Sequence, residues 1–197
     1  MKKILSISIA AYNVAPTLRE CLEPFFESDV MDNLDIMIID DGSKDNTAQI
    51  AKEYEERYPN SIRLIQKENG GWGSTVNSGI EHAVGLYFKQ LDGDDYYEPN
   101  ALNEFVSYLN ISPSDLVIAP YITYDSETGN VITTENCNPG CEVRKTFAIK
   151  DLEGFSPFMH SLCVRTELLK NGKIHITEKC FYTDTEFVLK ACNQAYT

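Results

Sequence analysis

The sequence predicts an α/β protein with a Rossmann-like, mostly parallel sheet and helices on both faces. Apolar segments of strand length alternate with longer helical patterns through residues 1–119, as in repeated strand–helix units. The segment 34–39 is almost continuously apolar, as a strand buried on both faces should be. Polar or Gly-rich segments follow the strands, and the ligand site of an open parallel sheet lies at those strand ends.

The predicted strands are apolar and bounded by turn residues. They comprise residues 4–10, 34–39, 62–66, 86–91 and 116–119. Residues typical of helix N-termini lie between the predicted strands. Pro16 and Thr17 open the first helix, and Asp45 or Asn46 caps the second, which runs to about residue 58. The third helix follows a Gly-rich segment, and Pro99 opens the fourth.

Beyond residue 120 the pattern changes. The segment 121–135, YITYDSETGNVITTE, predicts a β-hairpin in which β-branched and aromatic residues flank a Gly-Asn turn. We expect residues 137–160 to be irregular and a final helix to cover about residues 184–195. Because no repeat or long linker is present, we expect one domain, 1–197. The chain ends at that helix without an obvious finishing element, which is compatible with a fragment of a longer protein.

The chain is strongly acidic. Its 197 residues carry a formal net charge of −13, with a pI of about 4.6. This charge argues against nucleic acid as a partner, because phosphate backbones need a basic surface. The N-terminal MKKILSISIAAYNVA alternates with serine as a strand does, which argues against a signal peptide. No apolar run reaches the length that spans a bilayer, so we expect a soluble, cytoplasmic protein.

The chain contains six cysteines and no C-x-x-C pair. They are Cys21, Cys137, Cys141, Cys163, Cys180 and Cys192. Paired metal-ligand spacing is absent, and the count is low for a disulfide scaffold of this length. We interpret them as mostly free, reduced thiols. A disulfide or metal site at Cys137 and Cys141, which are near neighbours, is the alternative.

The segments that follow the first four predicted strands read AAYN, DDGSKDNT, NGGWGST and DGDDYY. Two of them are acidic and one is Gly-rich, which indicates one coherent site at the strand ends. In the last segment Asp92, Asp94 and Asp95 crowd together. Unpaired carboxylates at such spacing repel each other, so the pattern favours a bound cation. Mg²⁺ and Mn²⁺ take such oxygen ligands together with substrate phosphates.

Other acidic or Gly-rich motifs do not fit. A dinucleotide fingerprint needs G-x-G-x-x-G after the first strand, whereas the nearest run follows the third strand and lacks its last glycine. No Walker-type G-x-x-x-x-G-K-[ST] occurs. EF-hand loops starting at Asp41 or Asp92 lack the required Gly and Glu. We also expect the few basic residues to avoid these loops, so that a bound diphosphate would need the metal for charge compensation.

The chain resembles the family 2 glycosyltransferases, which have the GT-A fold. The matching blocks occur in the family's order and span nearly the whole chain. They are SIAAYN (8–13), IIDDGSKDNT (38–47), NGGWGSTVNSGIEHAVGLYF (69–88), QLDGDDYYEPNAL (90–102) and FYTDTEFVLK (181–190). The resemblance implies a nucleotide-sugar-binding half, 1–119, and an acceptor-side half, 120–197. It also implies an inverting transferase that uses Mn²⁺ or Mg²⁺.

By position, the resemblance implies a role for each strand-end residue. Asp41 reads the nucleobase, with uracil and hence a UDP-sugar expected, and Tyr12 with its neighbours Ala11 and Asn13 forms the edge for the base and ribose. Asp92 lies near the ribose and donor sugar, as the first aspartate of the family's Asp-x-Asp.

Asp94 is the implied metal ligand, and Asp95 supports the metal shell or the sugar hydroxyls. Asp184 is the implied catalytic base, for which we expect partial burial because a base works best with a pKa near the working pH. His160 precedes SLCV in a region that often lines the acceptor side in the family, so it is a candidate there. Family-level acceptors are polysaccharides or lipid-linked glycans, which implies work at the inner face of the membrane.

The chain departs from the family pattern at three places. Ala10 stands where the family commonly has Pro, and Thr183 replaces the Glu that usually precedes the base. Asn77 follows Thr-Val where the family commonly has Ala-Arg, so a cation near the nucleotide is lost. These departures leave a non-catalytic nucleotide-sugar or metal-binding module as the alternative. A phosphotransferase with an acidic Mg²⁺ pocket is a second rival, but it lacks an Asp-x-Asp-Gly-Thr block.

Overall fold

The computed structural model describes residues 2–135, 144–151 and 157–197. It contains a six-stranded sheet covered by helices and a separate two-stranded hairpin. The strands are β1 Leu5–Ala11, β2 Leu34–Asp40, β3 Ile62–Gln66, β4 Tyr87–Asp92, β5 Leu116–Ile118, β6 Tyr121–Tyr124, β7 Val131–Glu135 and β8 Leu162–Arg165. The helices are α1 Leu18–Phe26, α2 Thr47–Arg57, α3 Trp72–His82, α4 Pro99–Ile111, α5 Thr166–Asn171 and α6 Thr183–Gln194.

The strand order in the large sheet is β3-β2-β1-β4-β8-β5. Strand β1 pairs in parallel with both β2 and β4, and β2 pairs in parallel with β3. Strand β8 is antiparallel to its neighbours β4 and β5, so the sheet is mostly parallel, as predicted. The chain runs outward from β1 to β3 and then returns to the other side of β1. This reversal opens a crevice at the carboxyl ends of β1 and β4.

The helices cover both faces of the sheet, which confirms the prediction. On one face, alternate β1 residues such as Leu5 and Ile7 pack with Phe25 of α1 in one buried cluster. On the other face, Met37 of β2 packs with Phe187 of α6 in a second cluster. The central strands β1 and β2 are therefore almost entirely buried, which explains their near-continuous apolar composition.

Two elements were not predicted, namely β8 and α5. Strand β8 is four residues long, and its place between β4 and β5 is set by pairing with residues distant in sequence. The amino-acid composition of β8 alone does not indicate which strands it pairs with. Helix α5 has six residues, too short for a clear helical period.

The other predicted elements are present with boundary shifts of a few residues. Asn46 is the N-cap residue of α2 and makes no side-chain cap bond, while Oδ1 of Asp45, one position earlier, accepts the backbone N–H of Thr47 at 3.0 Å. The hairpin β6–β7 forms with Gly129 at φ +70°, the left-handed conformation that suits glycine. The segment expected to be irregular, 137–160, lies partly outside the described residues.

Four cysteines of the described residues are free thiols, which agrees with the prediction. They are Cys21, Cys163, Cys180 and Cys192. Burial raises the pKa of Cys163 to about 12, so this thiol stays protonated and inert at neutral pH. Cys137 and Cys141 lie outside the described residues. Across 2–135, 144–151 and 157–197, no helix has both the length and the apolar character needed to cross a membrane.

Candidate active site

The crevice between β1 and β4 collects the segments predicted to carry the site. Ala11 is the last residue of β1, and Asp92 is the last residue of β4. Asp41 directly follows β2, and its backbone N–H donates to the carbonyl of Ala11 at 2.8 Å. The strand ends therefore place the predicted donor-binding residues along one edge of the sheet, as expected for parallel strands.

The segment after β1 is bound to the segment after β2 by short polar contacts. Asn13 adopts φ +54°, and its Oδ1 accepts the backbone N–H of Lys44 at 2.7 Å. The backbone N–H of Asn13 donates to Ser43 Oγ at 3.0 Å. These bonds fix the backbone of residues 11–13, a segment that we call the ledge. The side chain of Tyr12 within it is half exposed. An exposed ring on a fixed ledge is free to stack on a flat ligand.

The carboxylate of Asp41 is buried under the Gly-rich segment. Its Oδ1 accepts from the backbone N–H of Gly70 at 2.9 Å, from Lys67 Nζ at 2.8 Å and from Ser74 Oγ at 3.2 Å. Its Oδ2 accepts from the backbone N–H of Gly71 at 2.8 Å. Asp41 therefore holds the Gly-rich segment against the end of β2.

The Gly-rich segment positions the side chain of Trp72 against Asp92 at the carboxyl end of β4. Gly71, at φ +80°, precedes Trp72, which is the first residue of α3. The indole Nε1–H of Trp72 donates to Asp92 Oδ1 at 2.7 Å. Burial raises the pKa of Asp92, and the indole N–H opposes that rise by stabilising the charged carboxylate.

A candidate metal site lies at the end of β4. One ligand atom from each of Asp92, Asp95 and His160 falls within 4.8 Å of the others. His160 Nδ1 lies 3.3 Å from Asp95 Oδ2, and this contact raises the pKa of His160. The backbone around Asp95 is turned back toward β4, since its N–H donates to the carbonyl of Asp92 at 3.1 Å. Two carboxylates and an imidazole form a donor set that suits a first-row divalent ion.

Asp94 is exposed and is not part of this three-residue group. Its predicted role as the metal ligand therefore stays a prediction. The expectation that His160 lies on the acceptor side stays a prediction, and the structure brings its ring to the acidic cluster. It precedes β8, and β8 pairs with β4, so the unpredicted strand explains why sequence spacing did not reveal the contact.

Asp184 lies in the first turn of α6 and is exposed, so the expectation of partial burial is wrong. The neighbouring Thr183, which stands in place of the family's Glu, is the buried residue of the pair. The segment before α6 reaches the crevice, because the backbone N–H of Lys179 donates to the carbonyl of Gly70 at 2.7 Å. Asp184 is thus connected to the Gly-rich segment through a short stretch of chain.

The expectation that basic residues avoid the strand-end segments is also wrong. Lys67 directly follows β3, and β3 is the neighbour of β2, so its ammonium reaches Asp41. The predicted parallel sheet could have indicated this contact between Lys67 and Asp41, because the carboxyl ends of adjacent parallel strands meet at one edge of the sheet. The contact of Trp72 with Asp92 joins segments after β3 and β4, and nothing in the local sequence indicates it.

Comparison with known proteins identifies relatives of this chain. A family model described as "Glycosyl transferase family 2" matches residues 6–170. The glycosyltransferase GlyG of Streptococcus pneumoniae serotype 4 is 31% identical over 131 residues, which are 66% of this chain and 43% of GlyG.

Among solved structures, S. aureus TarS 1–349 in complex with UDP-GlcNAc superposes with a TM-score of 0.78 at 23% identity. The match covers 99% of this chain and 54% of that one. The mannosyltransferase PcManGT from Pyrobaculum calidifontis, in complex with GDP-Man and Mn²⁺, gives a TM-score of 0.70 at 18% identity and covers 100% and 54%. These likenesses confirm the predicted GT-A fold.

This chain spans about half the length of GlyG and of TarS. The family model covers far more than half of the chain, and it includes the ends of β1, β2, β3 and β4 together with the candidate metal cluster. The protein therefore belongs to glycosyl transferase family 2.

Proposed function

We propose that this chain transfers a sugar from a nucleoside-diphosphate donor to an acceptor hydroxyl, with inversion at the anomeric carbon. The observation that carries the proposal is the cluster of Asp92, Asp95 and His160 at the switch point of the sheet. Ligands of open α/β sheets bind at that point. Membership of the family supports the reaction class.

The residues present fit a divalent cation. Asp92 and Asp95 offer carboxylate oxygens, and His160 offers an imidazole nitrogen that neutral His can use as a ligand. A mixed oxygen and nitrogen set suits Mn²⁺ better than Mg²⁺, which prefers oxygen. When bound, the ion supplies charge neutralisation for the departing nucleoside diphosphate. Asp94, exposed beside this cluster, is proposed as a further ligand from the diphosphate side.

The nucleotide end of the donor is assigned to the ledge formed by Ala11, Tyr12 and Asn13. Asp41 Oδ2 accepts one bond, from the Gly71 N–H, and so retains capacity for another. An imide N–H of uracil is a suitable donor for that oxygen, which favours a UDP-sugar. The complex of TarS with UDP-GlcNAc supports the same donor class.

Asp184 is assigned as the base. It takes the proton of the acceptor hydroxyl while that oxygen forms a bond to the anomeric carbon and the bond to the diphosphate oxygen breaks. Because Asp184 is exposed here, we expect the bound acceptor to cover it. The acceptor class proposed from the family is a glycan or a lipid-linked glycan, the latter with peripheral membrane association.

The test is nucleotide release. The chain is incubated with a panel of UDP- and GDP-sugars, Mn²⁺ and candidate acceptors, and free nucleotide is quantified. Metal-dependent release that falls at least about a hundredfold in Asp184→Asn supports the proposal, since general base catalysis contributes that much. Binding of UDP and Mn²⁺ without turnover under any condition would favour the non-catalytic binding module instead.

A further inference from the structure

A lysine side chain is buried within strand β4, three residues before Asp92. Lys89 is 4% exposed. Because side chains alternate along a strand, Lys89 lies on the same face of the sheet as Tyr87 and Leu91, which both belong to the first core cluster. Lysine is rarely buried in this way, since its ammonium group loses its hydration. The contacts of this ammonium group therefore indicate why a charge is kept inside the core.

The ammonium group of Lys89 contacts the backbone that carries His160. Its Nζ donates to the carbonyl oxygen of His160 at 2.6 Å and to that of Leu162 at 3.4 Å. His160 lies in the 3₁₀ turn Met159–Ser161, and Leu162 begins β8. Hydrogen bonds from a charged donor are shorter and stronger than those between neutral groups. Lys89 therefore ties the turn to β4.

This tie lies just beyond the backbone pairing of the two strands. In the part of the chain that the structure describes, the ladder between β4 and β8 comprises two residue pairs and ends at Phe88 and Val164. Lys89 is the next residue of β4. Its side chain thus spans from β4 to the turn that holds His160, where the ladder has ended.

The same turn brings the imidazole of His160 to the candidate metal cluster. His160 Nδ1 lies 3.3 Å from Asp95 Oδ2, and one ligand atom from each of Asp92, Asp95 and His160 falls within 4.8 Å of the others. Asp92 is the last residue of β4, so Lys89 connects the strand of one cluster residue to the backbone of another. Metal affinity depends on how firmly the surrounding groups hold each ligand in place.

We propose that Lys89 is a positioning residue, which holds the turn of His160 against β4 so that the imidazole reaches a cation bound at Asp92 and Asp95. The proposal rests on the proposed metal-assisted transfer at the same cluster, and it adds a residue that acts through the backbone of a ligand. The charge of Lys89 has the opposite effect, because an ammonium group repels a nearby divalent ion. Loss of charge alone would strengthen Mn²⁺ binding, whereas loss of positioning weakens it.

The test is a double-mutant cycle on the affinity for Mn²⁺ alone, measured from the electron paramagnetic resonance signal of the free ion. Lys89→Met keeps the apolar stem and should weaken Mn²⁺ binding about tenfold or more, as loss of the support around a ligand does. His160→Ala removes the imidazole but keeps the carbonyl that Lys89 contacts. In that background, Lys89→Met should change the Mn²⁺ affinity less than about twofold.

Chemical denaturation of the four proteins separates positioning from stability. Lys89→Met should lower the free energy of unfolding equally with and without the imidazole, because the carbonyl oxygens are present in both backgrounds. If Lys89→Met does not fold, Lys89→Gln takes its place in the cycle, since its polar side chain is one bond shorter and cannot make the same contact.

Lys170→Met is the matched control. Lys170 Nζ also donates to two carbonyl oxygens, those of Glu81 at 3.1 Å and Ala83 at 2.8 Å. These lie at the C-terminal end of α3, whereas Trp72 at its other end contacts Asp92. Lys170→Met should therefore leave the Mn²⁺ affinity unchanged.

Two results would overturn the positioning role of Lys89. One is an equal loss of Mn²⁺ affinity on Lys89→Met with and without the His160 imidazole, and the other is tighter Mn²⁺ binding in Lys89→Met. Nucleotide release from sugar donors is measured on the same proteins. Coupling between Lys89 and His160 without any turnover would support the positioning role while the proposed transfer fails. Metal-dependent turnover without coupling would give the reverse.

Discussion

At the residue scale, the buried carboxylate of Asp41 organises the donor side of the crevice. Its contacts with Gly70 and Gly71 set the path of the Gly-rich segment, and its ion pair with Lys67 balances the buried charge. Such a carboxylate is costly to bury without partners, so the surrounding donors are needed for stability as well as for shape.

Lys67→Met should destabilise the protein. The variant keeps the aliphatic stem but leaves the Asp41 carboxylate without its cation, at a cost of about 2 kcal/mol, because the other three donors remain. Chemical denaturation measures the free energy of unfolding. Lys52→Met, at an exposed position of α2, is the control and should change little. A loss of the same size in both variants would contradict the structural role of Lys67.

Trp72→Phe should weaken metal-dependent donor binding. The variant keeps an aromatic ring but removes the N–H that orients Asp92 Oδ1, a bond to a charged acceptor worth about 2 kcal/mol. We expect the affinity for UDP in the presence of Mn²⁺ to fall about tenfold or more, with a smaller change without metal. Calorimetric titration provides both values.

The control for Trp72→Phe is Tyr58→Phe, which also removes one donor, at the end of α2 outside the crevice. It should leave the UDP affinity unchanged. If Trp72→Phe binds UDP and Mn²⁺ as well as the unaltered chain, the indole does not position the metal ligand, and its contact with Asp92 is a packing feature.

Residue-level prediction from sequence succeeded where strand ends alone decide position. Ala11, Asp41 and Asp92 could be placed at one edge because each ends or directly follows a parallel strand. The contacts of Trp72 and His160 were not predicted, because their partners come from distant parts of the chain. Those contacts depend on helix direction and on the antiparallel pairing of β8, which a single sequence does not specify.

At the element scale, helix α3 connects the Gly-rich segment to the segment before α6. Asn77 of α3 bonds to Ile176 in both directions, with its Nδ2 donating to the carbonyl and its Oδ1 accepting the backbone N–H. Asn77 lies in the block where the chain departs from the family pattern. These two bonds connect α3 to the segment that leads to α6.

Gly73→Ala should destabilise the protein although Ala is the better helix former. A Cβ at Gly73 would lie 2.2 Å from the carbonyl oxygen of Thr177, so the backbone before α6 would have to move. We expect a net loss of about 1–3 kcal/mol from overpacking, against a propensity gain of about 1 kcal/mol. Thermal and chemical denaturation measure the loss.

Glu81→Ala, at an exposed position of the same helix, controls for propensity and should change stability little. A Gly73→Ala variant as stable as the unaltered chain would show that the segment at Thr177 moves freely. In that case the connection between α3 and α6 would not fix Asp184.

Most elements were predictable because their periodicity is strong. Strands β1 and β2 are apolar along their length, and α1 repeats apolar residues at helical spacing. Strand β8 and helix α5 were not predictable, since short elements take their structure from neighbours. The hairpin was predicted from its turn and from the β-branched and aromatic residues that flank it.

At the scale of the whole molecule, two buried cores hold a sheet whose order reverses at β1. The first core lies under α1, α2 and α4, and the second lies under α3, α5 and α6. Both are needed to keep the ends of β1, β2 and β4 aligned at the crevice. The acidic cluster thus lies at the carboxyl end of β4, next to the end of β1.

The central claim is that the crevice binds a nucleoside diphosphate through a divalent cation held by Asp92, Asp95 and His160. The most direct test is the calorimetric affinity for UDP with Mn²⁺ and with chelator, in the unaltered chain and in Asp92→Asn. We predict that Mn²⁺ strengthens UDP binding at least about tenfold and that Asp92→Asn removes this gain. UDP binding of equal affinity with Mn²⁺ and with chelator, or a metal-dependent gain that survives in Asp92→Asn, would contradict the claim.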